Sequence, residues 1–139
     1  MIETERFAEL FYNLVGKTLL ERVFRRCNMD PKRIDAVSLC DLLESGGIKL
    51  VDVRGEESFD AEHIPGAISV PLKGFPDNAL DMLDMNDRIV TYCTNIACSA
   101  GPTAAEKLVE MGYRDVSVLP VGIEGWKGAG FKTLCPSCV

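Results

Sequence analysis

Residues 88–99 read Arg88-Ile89-Val90-Thr91-Tyr92-Cys93-Thr94-Asn95-Ile96-Ala97-Cys98-Ser99. The first five form a short, largely apolar run of the kind that makes a buried strand. Cys93 closes it. The six residues that follow carry no charge, and a helical pattern begins near Gly101 or Pro102. Strand, turn and helix in that order set Cys93 before a group of backbone N–H donors that no helix or ladder uses. Such donors favour an anion, and therefore a thiolate over a thiol. A thiolate is a nucleophile. The competing reading is a buried cysteine that only packs, but a packing cysteine has no need of an uncharged loop of donors.

Working outward, the same alternation recurs. Ile34–Val37 reads as a short edge strand, and Ser38 as the cap of a helix over Leu39–Glu44 that Gly46-Gly47 ends. Ile48–Val53 is the clearest early strand, and Ala67–Val70 is another, stopped by Pro71. Asn78–Leu83 predicts a short helix, Thr103–Met111 the helix after the loop, and Val116–Leu119 a last strand. Short apolar strands alternating with helices imply a mainly parallel sheet covered on both faces. Ligands bind such sheets at the carboxyl ends of the strands, where Cys93 falls. Phe7, Leu10, Phe11, Leu14, Val15, Leu19, Val23 and Phe24 mark an amphipathic helix, or two broken near Gly16. This predicts an N-terminal helical extension over 1–29, an α/β domain over 30–133 and a tail over 134–139. The extension's apolar face covers the domain, a homodimer partner or another docked protein.

The 139 residues suit one domain with a real core. The formal charge of −6 argues against general nucleic-acid binding, which needs a basic footprint. Lys17, Arg22, Arg25, Arg26, Lys32 and Arg33 form a local basic stretch, read as a solvated helix face or a docking patch for an acidic partner. No stretch suggests a membrane span, and the acidic start Met1-Ile2-Glu3-Thr4-Glu5 lacks an apolar signal core, so the chain reads as cytoplasmic. In a reducing compartment six cysteines point to chemistry or metal before scaffolding.

Three stretches in order resemble the rhodanese-type sulfurtransferase family. They are Leu50-Val51-Asp52-Val53-Arg54 with Phe59 and Glu62-His63-Ile64-Pro65-Gly66-Ala67-Ile68; Val90-Thr91-Tyr92-Cys93 with Ala104-Ala105-Glu106-Lys107-Leu108 and Gly112-Tyr113; and Val121-Gly122-Ile123-Glu124-Gly125-Trp126. The resemblance implies an α/β fold on a five-stranded, mainly parallel sheet with helices on both faces. It implies a catalytic cysteine at Cys93 and sulfur transfer through a cysteine persulfide, with no metal and no cofactor. The backbone of Thr94, Asn95, Ile96, Ala97, Cys98 and Ser99 would cradle the persulfide anion. The donor would be thiosulfate or a persulfide, small or protein-bound, and the acceptor a thiol. Asp52 and Arg54 would tie loops together, His63 would be a structural turn residue, and Trp126 core or a lid.

The chain also departs from the family pattern. Ala104-Ala105 comes late, so the loop reads as longer, running to Pro102, and it lacks the Arg or Lys that helps to hold thiosulfate. Related phosphatases need a guanidinium six residues after the cysteine; Ser99 stands there, which excludes that chemistry. Cys98 lies five residues after Cys93 and is either a resolving or relay thiol or a small residue at a helix start. The alternative function is then a thiol–disulfide switch, or a sulfur-carrier or binding module, using Cys93 and Cys98. Cys135 and Cys138 form a Cys-x-x-Cys pair for relay, half a zinc site, or an unused tail.

Overall fold

The chain divides into two units, Met1–Asp30 and Pro31–Val139. The computed structural model describes residues 30–135. The helical extension expected over 1–29 and Cys138 therefore lie outside the described residues.

Five parallel strands make one sheet: β1 (Lys32–Arg33), β2 (Ile48–Asp52), β3 (Ala67–Ser69), β4 (Arg88–Tyr92) and β5 (Asp115–Leu119), in the order β1-β5-β4-β2-β3. The central position of β4 follows from its composition. Ile89, Val90, Thr91 and Tyr92 are all buried, as a strand covered on both faces requires. The helices are α1 (Ala36–Ser45), α2 (Glu56–Ala61), α3 (Asp77–Met82), α4 (Ala100–Met111) and α5 (Gly122–Gly128).

The period of two along each strand divides the core. Val51, Ile89, Val116 and Val118 point to one face and pack with Ala79 and Leu83 and with Ala104, Ala105 and Leu108 of α4. Leu50, Val90, Tyr92 and Leu119 point to the other, with Leu39 of α1, Ile64, and Ile123 and Trp126 of α5. Burial of each large apolar side chain contributes about 1.5–3 kcal/mol. The Tyr113 hydroxyl donates to the carbonyls of Ala79 and Leu83 at 3.0 and 3.2 Å, fastening the segment after α4 to α3.

Some local expectations are corrected. The edge strand is Lys32–Arg33, not Ile34–Val37, and the cap of α1 is Asp35, not Ser38. The Asp35 carboxylate accepts the Ser38 N–H at 2.7 Å, satisfying a first-turn donor, so the helix starts at Ala36. Helices α2 and α5 went unpredicted: α2 buries no residue and so shows no apolar stripe, and α5 carries three glycines.

Candidate functional site

Cys93 follows the last residue of β4 at the carboxyl edge of the sheet, and its side chain belongs to the α4 face. Three contacts fix it there. The buried Thr91 hydroxyl donates to the Gly101 carbonyl at 2.8 Å, tying β4 to the first turn of α4. From the other side α5 begins with Ile123 N–H donating to the Cys93 carbonyl at 3.0 Å and Glu124 N–H to the Thr94 carbonyl at 2.9 Å. That approach requires glycine at 122, whose φ is +65° and where a Cβ would lie 2.6 Å from the Cys93 carbonyl oxygen.

The loop is Thr94–Ser99 and α4 begins at Ala100, so the longer loop running to Pro102 is corrected. Pro102 lies in the first helical turn, where its missing N–H is no loss. The middle of the loop makes its own turn: Cys98 N–H donates to the Asn95 carbonyl at 3.1 Å and Ala97 N–H to Asn95 Oδ1 at 3.0 Å. Asn95 Nδ2 donates to Glu124 Oε2 at 3.1 Å. Among the described residues, the N–H groups of Thr94, Asn95, Ile96, Ser99, Ala100 and Gly101 find no acceptor within the protein. The last three belong to the start of a twelve-residue helix, whose dipole adds partial positive charge.

Cys93 and Cys98 are joined by a disulfide, their Cα atoms 6.4 Å apart. Cys93 is 4% exposed, whereas Cys98 is half-buried, so solvent meets the pair through Cys98. Cys135 is also disulfide-bonded. Cys40, partly buried on the opposite face, is a free thiol; burial, then Glu44 and Asp41, push its pKa up. Among the described residues no cluster of His, Cys, Asp and Glu has metal-site geometry. No helix among them is long and apolar enough to cross a membrane.

The other motif residues gather on the face away from Cys93. Asp52 is fully buried and takes Arg54 Nη2 at 2.7 Å, Arg54 Nε at 3.0 Å and the Arg54 N–H at 3.0 Å. Arg54 Nη2 also donates to the carbonyls of Ser58 and Glu62. Tyr92, whose role the sequence reading missed, donates its hydroxyl to Asp52 Oδ2 at 2.8 Å and accepts the Ile64 N–H at 3.1 Å. Burial, then the Asp52 charge, raise the Tyr92 pKa well above the ordinary phenol range. Nothing local in the sequence signalled this role, which appears only once β2 and β4 pair and set Tyr92 opposite Asp52. His63 lies in an isolated bridge to Leu134, ahead of the turn at Pro65 and Gly66 where it was expected; its Nδ1 bonds the Phe59 carbonyl at 2.8 Å and its ring stacks on Phe59. Trp126 is core, its Nε1 donating to the Lys132 carbonyl at 2.9 Å.

The chain is thus a parallel α/β domain with a cysteine pair and a run of unused amides at the carboxyl edge of its sheet. The chain belongs to the Rhodanese-like domain family, which matches residues 35–129. It is 37% identical over 99 residues to an HTH-type transcriptional regulator of Mycobacterium tuberculosis, covering 69% of this chain and 43% of the regulator. It thus spans under half of that relative's length. It is 28% identical over 96 residues to the thiosulfate sulfurtransferase GlpE of Coxiella burnetii, covering 69% of this chain and 87% of that protein. The solved rhodanese-like domain of an Anabaena protein superposes with a TM-score of 0.69 at 28% identity, covering 77% of this chain and 80% of that one. The fold is rhodanese-like.

Proposed function

We propose that this domain is a sulfurtransferase that carries sulfane sulfur as a persulfide on Cys93. The observation that carries the reading is the set of unused N–H groups after Cys93, at the start of α4. They are suited to hold a thiolate and then the persulfide anion. Similarity to a thiosulfate sulfurtransferase over most of that protein's length supports the same activity class.

The described state has its Cys93 sulfur bonded to Cys98, so a cycle begins with reduction. The free Cys93 thiolate then attacks the sulfane sulfur of thiosulfate, or of a small or protein-bound persulfide, and expels sulfite or a thiolate. The sulfur leaves by attack of a thiol acceptor. No cationic side chain lies between Thr94 and Ser99, so main-chain donors alone would hold the donor's anionic end. That favours a persulfide over doubly charged thiosulfate as the better substrate.

The test is mass spectrometry of the reduced full chain carrying Cys98→Ala, in which no second loop thiol can remove the sulfur, after exposure to thiosulfate or glutathione persulfide. The expected result is a gain of about 32 Da mapped to the Cys93 peptide and lost in Cys93→Ser. Sulfur that never maps to Cys93 refutes the assignment. The Cys93–Cys98 bond favours a second reading, a thiol–disulfide switch. That reading predicts reversible oxidation of the pair with no sulfur ever carried, and the same spectra separate the two.

A further inference from the structure

We propose that Cys98 is the internal resolving thiol that displaces the carried sulfur, so that the domain reduces sulfane sulfur to sulfide at the expense of an external dithiol. This rests on the sulfurtransferase reading above and names the fate of the sulfur. The observation is the bond itself: the fold brings Cys98 Sγ onto Cys93 Sγ, the inner sulfur of the persulfide that Cys93 would carry. A thiol reaching the outer sulfur would relay it; one reaching the inner sulfur displaces the outer one.

The steps balance. Cys93 thiolate and thiosulfate give the Cys93 persulfide anion and sulfite. The Cys98 thiol transfers its proton to the outer sulfur and attacks Cys93 Sγ; the S–S bond of the persulfide breaks, hydrosulfide leaves, and the Cys93–Cys98 disulfide forms. The sulfane sulfur gains two electrons and the cysteine pair loses two. An external dithiol, of the small redox-protein class, then attacks the disulfide, becomes oxidised itself, and restores both thiols. Exposure sets the direction of that attack. Cys98 is half-buried and Cys93 nearly sealed, so the reductant meets Cys98 and Cys93 departs as a thiolate. The unused amides stabilise that departure.

The loop suits the exchange. Its ends are tied, at Cys93 and Thr94 by α5 and at Ser99 by the Thr103 N–H, while Cys98 is held by its own N–H bond to Asn95, by packing of its half-buried side chain on the α4-side core and by the disulfide. A thiol tethered five residues away acts at an effective concentration of at least about 1 mM, so it outpaces a free thiol at about 10 µM by roughly 100-fold.

The test loads the dithiol-reduced, desalted full chain with one equivalent of thiosulfate and, in a parallel series, glutathione persulfide. Sulfide release is followed and cysteine states are mapped by peptide. The expected result for the wild type is about one sulfide per chain with a mapped Cys93–Cys98 disulfide, while Cys98→Ala and Cys98→Ser hold the Cys93 persulfide and release sulfide about 100-fold more slowly in 10 µM thiol. A wild type that holds its persulfide as long as the variants, or that moves it to Cys98 without releasing sulfide, overturns the inference and leaves the sulfurtransferase reading standing. Failure of the wild type and both variants to take up sulfur from either donor overturns both.

Discussion

Gly122→Ala is the sharpest test of how α5 holds the Cys93 loop. The new Cβ would stand 2.6 Å from the Cys93 carbonyl oxygen and from the Thr94 carbonyl carbon, and 2.7 Å from the Asn95 nitrogen. All three are backbone atoms, so no flexible side chain can yield. Restoring ordinary contact needs a retreat of about 0.8 Å, which stretches the bonds from Ile123 and Glu124, now 3.0 and 2.9 Å, past useful length. Two lost bonds cost about 1 kcal/mol each, and holding alanine at a left-handed φ adds about 1–2 kcal/mol. The expected loss is about 3–4 kcal/mol, a large part of the stability of an ordinary domain. In a urea titration under a dithiol reductant, the midpoint should fall by about 1–4 M with little change in slope. Persulfide loading of Cys93 should fall with it at low urea. Gly128, in the same helix with no atom within 4 Å of its Cβ position, is the control; Gly128→Ala should be neutral or stabilising. A midpoint shift for Gly122→Ala below about 0.5 M, with normal loading, would show that α5 does not clamp the loop.

Tyr92→Phe should cost about 2–4 kcal/mol, because it strands the buried Ile64 N–H and removes a donor from buried Asp52. Cys93 loading should persist, since the phenol lies on the opposite face; loss of loading in a protein of unchanged stability would contradict that division. The Thr133 hydroxyl, then Lys127, hold the Glu62 carboxyl below the usual carboxylate range. A depressed folded pKa contributes stability that is complete above the ordinary carboxylate pKa and lost as pH falls through the lower folded value. Thr133→Val should therefore raise the Glu62 titration midpoint, read by carbon-detected NMR, and an unmoved midpoint would remove the hydroxyl as its main cause. Cys40, with its raised thiol pKa, should react with iodoacetamide near neutral pH more slowly than Cys98 in the reduced protein; equal rates would argue against its protected setting.

The strands were legible because their residues are apolar at the right lengths: β2, β4 and β5 fall within one residue of their expected ends. The position of Cys93 followed from β4 in the same way. What went unread depends on pairing across the chain. Tyr92 looked like one more apolar residue until β2 and β4 set it opposite Asp52, forty residues away. Gly122 looked like part of a closing motif, and nothing local showed that a backbone carbonyl from position 93 lies against it. Ser38 was read as the cap of α1; that Asp35 takes the place shows only in the structure, where its carboxylate accepts the Ser38 N–H. The pairing of Cys93 with Cys98 stood open because a spacing of five does not say whether two sulfurs meet.

The placement of these groups separates folding from chemistry. Successive residues of a strand face opposite sides, so Tyr92 and Cys93 are neighbours in sequence and back to back in space. On the Tyr92 side every partner of Asp52 is fixed and buried or nearly so: a guanidinium, a phenol and a backbone amide. That side locks the carboxyl ends of β2 and β4 to the turn at Ile64. On the Cys93 side the donors stay unpaired and the loop between Asn95 and Ser99 is held by its own short turn. Breaking the Cys93–Cys98 bond and moving Cys98 aside therefore puts at risk the Cys98–Asn95 bond, about 1 kcal/mol, and the packing of the half-buried Cys98 side chain on the α4-side core. The strand ladder and the core on the α5 side are untouched. A thiol pair can cycle often only where its two states differ in few contacts, a condition that the carboxyl edge of β4 meets.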